Sequence, residues 1–239
     1  MTLPRAPRAW LWPLTGLGFV VAAGSGIVFS MILPPEPYPS PFGAPLGPQT
    51  DVARFFIEAR PQVELMSFMY TIAAIFLICF VADVASRVSD GVAGGGSLAL
   101  AGGVLAAGFW LLTAMLLWVL ARPWTPEQPN LLRALHDLTY LLGGPAHVMT
   151  LALFAAAGAV GLSRGDGAVE ALRWAGLAGA AVSLVSVVAL LFEPATLLLP
   201  IGRGLVLVWI AGVSVWLAGS GRQSGGPQRA PSPGQEALS

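Results

Sequence analysis

Residues 62–83 read QVELMSFMYTIAAIFLICFVAD, and this stretch decides the architecture. No charge interrupts it between Glu64 and Asp83. A helix rising ~1.5 Å per residue crosses a hydrocarbon core ~30 Å thick in ~20 such residues. Working outward, equally long apolar runs recur at 10–33, 98–121, 136–162, 171–192 and 197–219. The reading is an all-α membrane protein, a bundle of six transmembrane helices. Strands are disfavoured because the runs are apolar on every side, whereas a membrane barrel alternates apolar and polar residues.

Composition agrees. The 239 residues are 56% hydrophobic and 10% charged, with a mean hydropathy of +0.75. A soluble helical domain carries nearer ~25% charge on its outward faces. All twelve cations are arginine, formal net charge is zero and no polybasic run occurs, so nucleic acid is not an expected partner. Membrane lipids are, together with a homo-oligomeric or other membrane-protein partner. The single cysteine, Cys79, falls inside the second span and reads as a small core hydrophobe.

Residues 1–9 carry Arg5 and Arg8 ahead of the first run. That run exceeds the 7–15 residues of a signal-peptide core, so an uncleaved first span is expected, the alternative being cleavage near Ala22–Gly24. With the N-terminus cytoplasmic, seven arginines fall inside and five outside, a positive-inside bias that places both termini in the cytoplasm. The outer loop 34–49 is dense in proline and predicts an extended path. Asp51 reads as the N-cap of a short interfacial helix over 51–60, with Arg54 and Glu58 on one face. Gly94-Gly95-Gly96 and Gly165-Asp166-Gly167 read as tight turns, and 220–239 as a disordered cytoplasmic tail. Small residues at Ala99/Gly103/Ala107 and Gly179/Ser183 recur every four positions and predict close helix approach.

Ionisable groups inside spans are expensive and mark candidate sites. They gather toward the predicted outer half: Glu64 in span two, His136 and Asp137 in span four, Glu193 ending span five and Arg203 early in span six, with His147 deeper. Helical spacing aligns Glu64 with Ser67 and Thr71, and His136 with Tyr140, Gly144 and His147. It also aligns Ser183 with Ser186 and Glu193, and Arg203 with Ser214. The candidate polar cluster is therefore Glu64, Ser67, Thr71, His136, Asp137, Tyr140, His147, Glu193 and Arg203. Simpler roles stand beside each: Glu193 or Glu64 pairing with Arg203, Glu64 with Arg60, Asp137 as a first-turn acid, and His147 bonded to Tyr140, Thr150 or a serine. Gly143-Gly144-Pro145 predicts a broken or kinked helix beside His147.

No cofactor or metal is expected. Both histidines lie on one helix ~16 Å apart, which suits neither bis-histidine haem nor a shared metal. A zinc site from His147, Glu64 and Glu193 has no supporting spacing, and HExxH, GxSxG and CxxC do not occur.

At Leu135-His136-Asp137-Leu138, Gly143-Gly144-Pro145-Ala146-His147 and Glu193-Pro194-Ala195 through Gly202-Arg203, the chain resembles a group of multi-pass membrane proteins of high-GC actinobacteria. Ala53-Arg54-Phe55-Phe56 extends the likeness over roughly residues 50–217. The resemblance implies a multi-pass helical fold and brings no substrate or catalytic residues. The leading functional expectation is a non-enzymatic accessory or envelope-associated factor. A small transporter or proton-coupled permease comes second, and an intramembrane enzyme or lipid-binding protein third.

Overall fold

The computed structural model describes residues 11–32, 49–89, 94–162 and 167–223, and every one of its long elements is a helix. The N-terminal segment 1–9, the loop 34–48, the Gly165-Asp166 turn and residues 224–239 of the expected tail lie outside the described residues. Helix α1 is Leu14–Ile32, α2 Gln49–Glu58, α3 Arg60–Ser89 and α4 Gly95–Leu120. Then come α5 Pro129–Leu141, a π-helical turn Leu142–Ala146 and α6 His147–Gly161. Helix α7, Gly167–Val185, runs into 3-10 turns at Ser186–Leu190 and Glu193–Leu197 before α8, Leu198–Gln223.

Five of these segments are long and apolar enough to cross a membrane: Arg60–Val88, Gly95–Leu120, Pro129–Gly161, Gly167–Leu190 and Pro194–Ser220. The chain is an α-helical membrane protein. Helix α1 is apolar, with a described apolar stretch, Leu14–Gly26, shorter than the other five. Ile75, Leu98, Leu112, Val208 and Val215 are exposed on the outer surface, where lipid, not water, is the matching solvent.

Several boundaries differ from the sequence reading. Helix α2 begins at Gln49, so Asp51 lies in its first turn and is not its N-cap. Helix α3 starts at Arg60, one residue beyond Ala59, whose N–H and carbonyl both bond along the chain and join α2 to α3 with little interruption. Helix α5 starts at Pro129 with proline in its first turn, as suits a residue lacking an N–H, so Asp137 sits well inside the helix. Helix α8 continues to Gln223, four residues into the expected tail.

The helices close into a circuit in which each packs on the next: α1 on α3, α3 on α4, α4 on α6, α6 on α7, α7 on α8, and α8 back on α1. Without water to drive association, membrane helices depend on close approach. Gly102 supplies it between α4 and α6, where a Cβ would stand 2.8 Å from the Phe154 amide nitrogen. Gly202 does so between α8 and α7, against the Ser183 backbone. Gly103, in the expected small-residue stripe, lies against Val81 of α3.

Candidate functional site

A rise of ~1.5 Å per residue puts Tyr70 ~15 Å below the start of α3 and Trp110 ~15 Å below the end of α4. That is half the thickness of a hydrocarbon core. At this depth the two rings meet with centroids 4.5 Å apart. His147, the first residue of α6, lies 4.3 Å from the Trp110 ring. The guanidinium carbon of Arg203 on α8 is 4.8 Å from the same ring centre. One indole thus gathers a phenol, an imidazole and a guanidinium from three other helices. Gly26 of α1 leaves room for the Tyr70 ring, since a Cβ there would collide with it.

The π-helical turn explains part of this geometry. Pro145 has no N–H and its ring excludes an ordinary helical carbonyl four residues back, so the chain widens by one residue and does not break. The wider turn lets the Gly143 carbonyl accept from Arg203 Nη2. His147 Nδ1 lies 2.9 Å from the Ala106 carbonyl of α4. A carbonyl only accepts, so Nδ1 carries the proton and donates, leaving Nε2 with a lone pair. Nε2, Tyr70 Oη, Trp110 Nε1 and Arg203 Nε are all buried, with no hydrogen-bond partner among the described residues. Native interiors leave few such groups. Arg203 also has no carboxylate within salt-bridge distance among the described residues.

The remaining predicted residues divide between other places. Glu64 does not pair with Arg203. It accepts from Arg60 Nε at 3.0 Å and Arg122 Nη2 at 2.6 Å. Ser67 donates to the Ala114 carbonyl of α4 at 2.7 Å, and Thr71 donates to the Ser67 carbonyl. With the Glu64 pairs they line a groove between α3 and α4 of about 520 Å³. Asp137 pairs with Arg133 one turn earlier at 3.0 Å. His136 is buried, edge-on to Phe56 of α2 at 6.3 Å. It therefore faces a different neighbour from His147, because the π turn alters the rotation that an eleven-residue spacing implies. Tyr140 is half-buried on α5, and the Glu193 side chain lies outside the described residues. Thr150 bonds to the Ala146 and His147 carbonyls, not to the imidazole. Ser183, Ser186 and Ser214 are fully buried; Ser186 and Ser214 bond to carbonyls of their own segments.

Sequence reading missed Tyr70 and Trp110, the two rings that organise the centre. A signal was present. Tryptophan concentrates at membrane interfaces, and Trp110 lies in mid-span instead. Further along, a cavity of about 340 Å³ opens between α3, α6 and α8, reaching from Arg87 and Trp216 to Trp209. Phe154 packs edge-on to Trp209 at 5.8 Å and to Phe80 at 6.0 Å. Among the described residues no group of three or more His, Cys, Asp or Glu could hold a metal ion. Compared with protein families, curated proteins and solved structures, the chain matches none.

Proposed function

We propose that this chain is a non-enzymatic multi-pass protein that binds a small anionic solute inside its helix bundle, as a permease does. We take α1 as a sixth span, both termini as cytoplasmic and the bacterial plasma membrane as the location. The observation that carries the reading is Arg203, a guanidinium at membrane depth with no carboxylate beside it among the described residues. A charge placed there for stability alone would be paired or replaced by an apolar side chain, because desolvation penalises it by several kcal/mol. Around it, Trp110 Nε1–H and Tyr70 O–H offer further donors, and His147 Nε2 offers an acceptor. Donors converging on a cation are what an anion needs.

All four atoms are sealed from solvent, so entry requires helices to part. Support for a route comes from the cavity that reaches Trp209, six residues or ~9 Å along α8 from Arg203. Phe80 and Phe154, in contact with each other and Phe154 with Trp209, precede the cavity-lining Val84 and Gly158 on α3 and α6. The π turn, a backbone irregularity tolerated only within protein at this depth, is a natural hinge.

The test is uptake of radiolabelled phosphate, sulfate and succinate into proteoliposomes holding the full chain. Accumulation of at least one with wild type and not with Arg203→Met supports the reading. Accumulation of none, or equal accumulation by Arg203→Met, sinks it. A second reading, a structural or accessory factor, is favoured by the pairing of Glu64, Asp83, Asp137 and Glu170 with neighbouring arginines. On that reading the central cluster is a packing key, and removing it should destabilise the bundle.

A further inference from the structure

At the membrane surface near α2, helix α3 begins with Arg60 and α4 has just ended before Arg122. Both guanidiniums bind one carboxylate, Glu64, and even share its Oε1. Two cations against one anion leave a single positive charge at the mouth of the groove between α3 and α4. Arg122 is held firmly: its Nε donates to the Trp118 carbonyl at 3.2 Å, and its guanidinium lies 4.0 Å from the Trp118 ring centre. Its Nη1 and both terminal nitrogens of Arg60 are not engaged by Glu64. Below this charged mouth the groove is flanked by Phe68, Met115 and Trp118, all exposed toward lipid. Phe68 lies ~12 Å below Arg60 along the helix, and Met115 ~10 Å below Arg122.

We propose that this groove binds an anionic phospholipid, its headgroup phosphate on Arg60 and Arg122 and an acyl chain along Phe68 and Met115. Charge, depth and polarity match in order. Guanidiniums recognise phosphate by paired N–H donors. They stand at the adjoining ends of two membrane-spanning helices, where headgroups are expected, and the apolar flank follows toward the middle of both spans. The net single positive charge selects an anionic lipid over a zwitterionic one. The volume of about 520 Å³ leaves room for a headgroup and the first part of a chain. The inference goes beyond the solute reading and shares no side chain with it, so either can fail alone.

The experiment uses the full chain in a neutral detergent, with phosphatidylglycerol, phosphatidylcholine or inorganic phosphate added. Bound lipid is counted by native mass spectrometry, and melting temperature is followed. Phosphatidylglycerol should bind and raise the melting temperature, whereas phosphatidylcholine and inorganic phosphate should do neither. Arg122→Gln should weaken phosphatidylglycerol binding roughly fivefold, the effect of one charge near the surface. Glu64→Gln should strengthen it by a similar factor, because the site charge rises from one to two. A purely structural ion triad predicts no strengthening. Equal binding of both lipids, a shift with inorganic phosphate alone, or unchanged or weakened binding in Glu64→Gln overturns the proposal. Should Arg122→Gln not fold, Glu64→Gln decides by itself.

Discussion

Replacing Gly102 by alanine tests the packing that holds the centre together. A Cβ at this position would lie 2.8 Å from the Phe154 amide nitrogen and 3.0 Å from both Leu153 Cβ and the Thr150 carbonyl oxygen. Two of the three are backbone atoms, which cannot rotate away. Ordinary carbon contacts begin near ~3.5 Å, so α4 and α6 must part by roughly 0.5 Å. One turn along α4, that movement stretches the His147 Nδ1 contact to Ala106 from 2.9 Å toward the limit of a hydrogen bond. Overpacking of this kind costs ~1–3 kcal/mol. Alanine recovers ~0.5–1 kcal/mol of helix preference over glycine, leaving a net loss of ~0–2.5 kcal/mol. For a chain of this size the melting temperature should fall by up to ~10 °C. Gly108 on the same helix has nothing within 4 Å of its would-be Cβ, so Gly108→Ala serves as the control and should melt at or slightly above wild type. Thermal unfolding of both variants in one detergent decides the matter. If Gly102→Ala melts with or above Gly108→Ala, the close α4–α6 approach, and the His147 geometry built on it, is wrong.

Arg203→Met removes a guanidinium that has no carboxylate beside it among the described residues, together with its bond to Gly143 and its contact with Trp110. Relief of desolvation should leave the protein equally stable or up to ~4 kcal/mol more stable, and a clear fall in melting temperature would favour the structural reading. His147→Leu loses one hydrogen bond to a carbonyl that also serves its own helix, about 1 kcal/mol, but removes a nitrogen without a partner among the described residues, whose burial costs ~1–3 kcal/mol. Its melting temperature should match or exceed wild type, and a loss above ~1 kcal/mol would refute that accounting. Ser67→Ala breaks a buried 2.7 Å bond from α3 to α4 and should cost ~0.6–1.7 kcal/mol by chemical denaturation. Ser86→Ala, whose bond is local and exposed, should be neutral beside it, and equal effects would contradict the inter-helix role.

Much of the fold was legible because the bilayer imposes a local rule. A run such as 62–83 must be a helix, since no other structure satisfies its backbone within one lipid-exposed segment. The Arg60–Glu64 pair was legible for a similar reason, as four residues make about one helical turn. The Glu64–Arg122 bond was not, because 58 residues separate the partners and only the antiparallel packing of α3 on α4 brings them level.

Sequence by itself therefore determined the class of the protein, the approximate extent of its spans and the short list of residues foreign to lipid. These depend on local composition and helical rise. Tertiary structure decided which way each helix turns about its axis. Gly102 and Gly202 set how closely neighbours approach, and the turn at Pro145 changes the rotation of everything after it. Packing of the separate helices places His136 at Phe56, His147 at Trp110, and Arg203 over the indole and not beside Glu64. Such choices rest on contacts between residues far apart in the chain, and a pattern read along one helix carries no information about its neighbours.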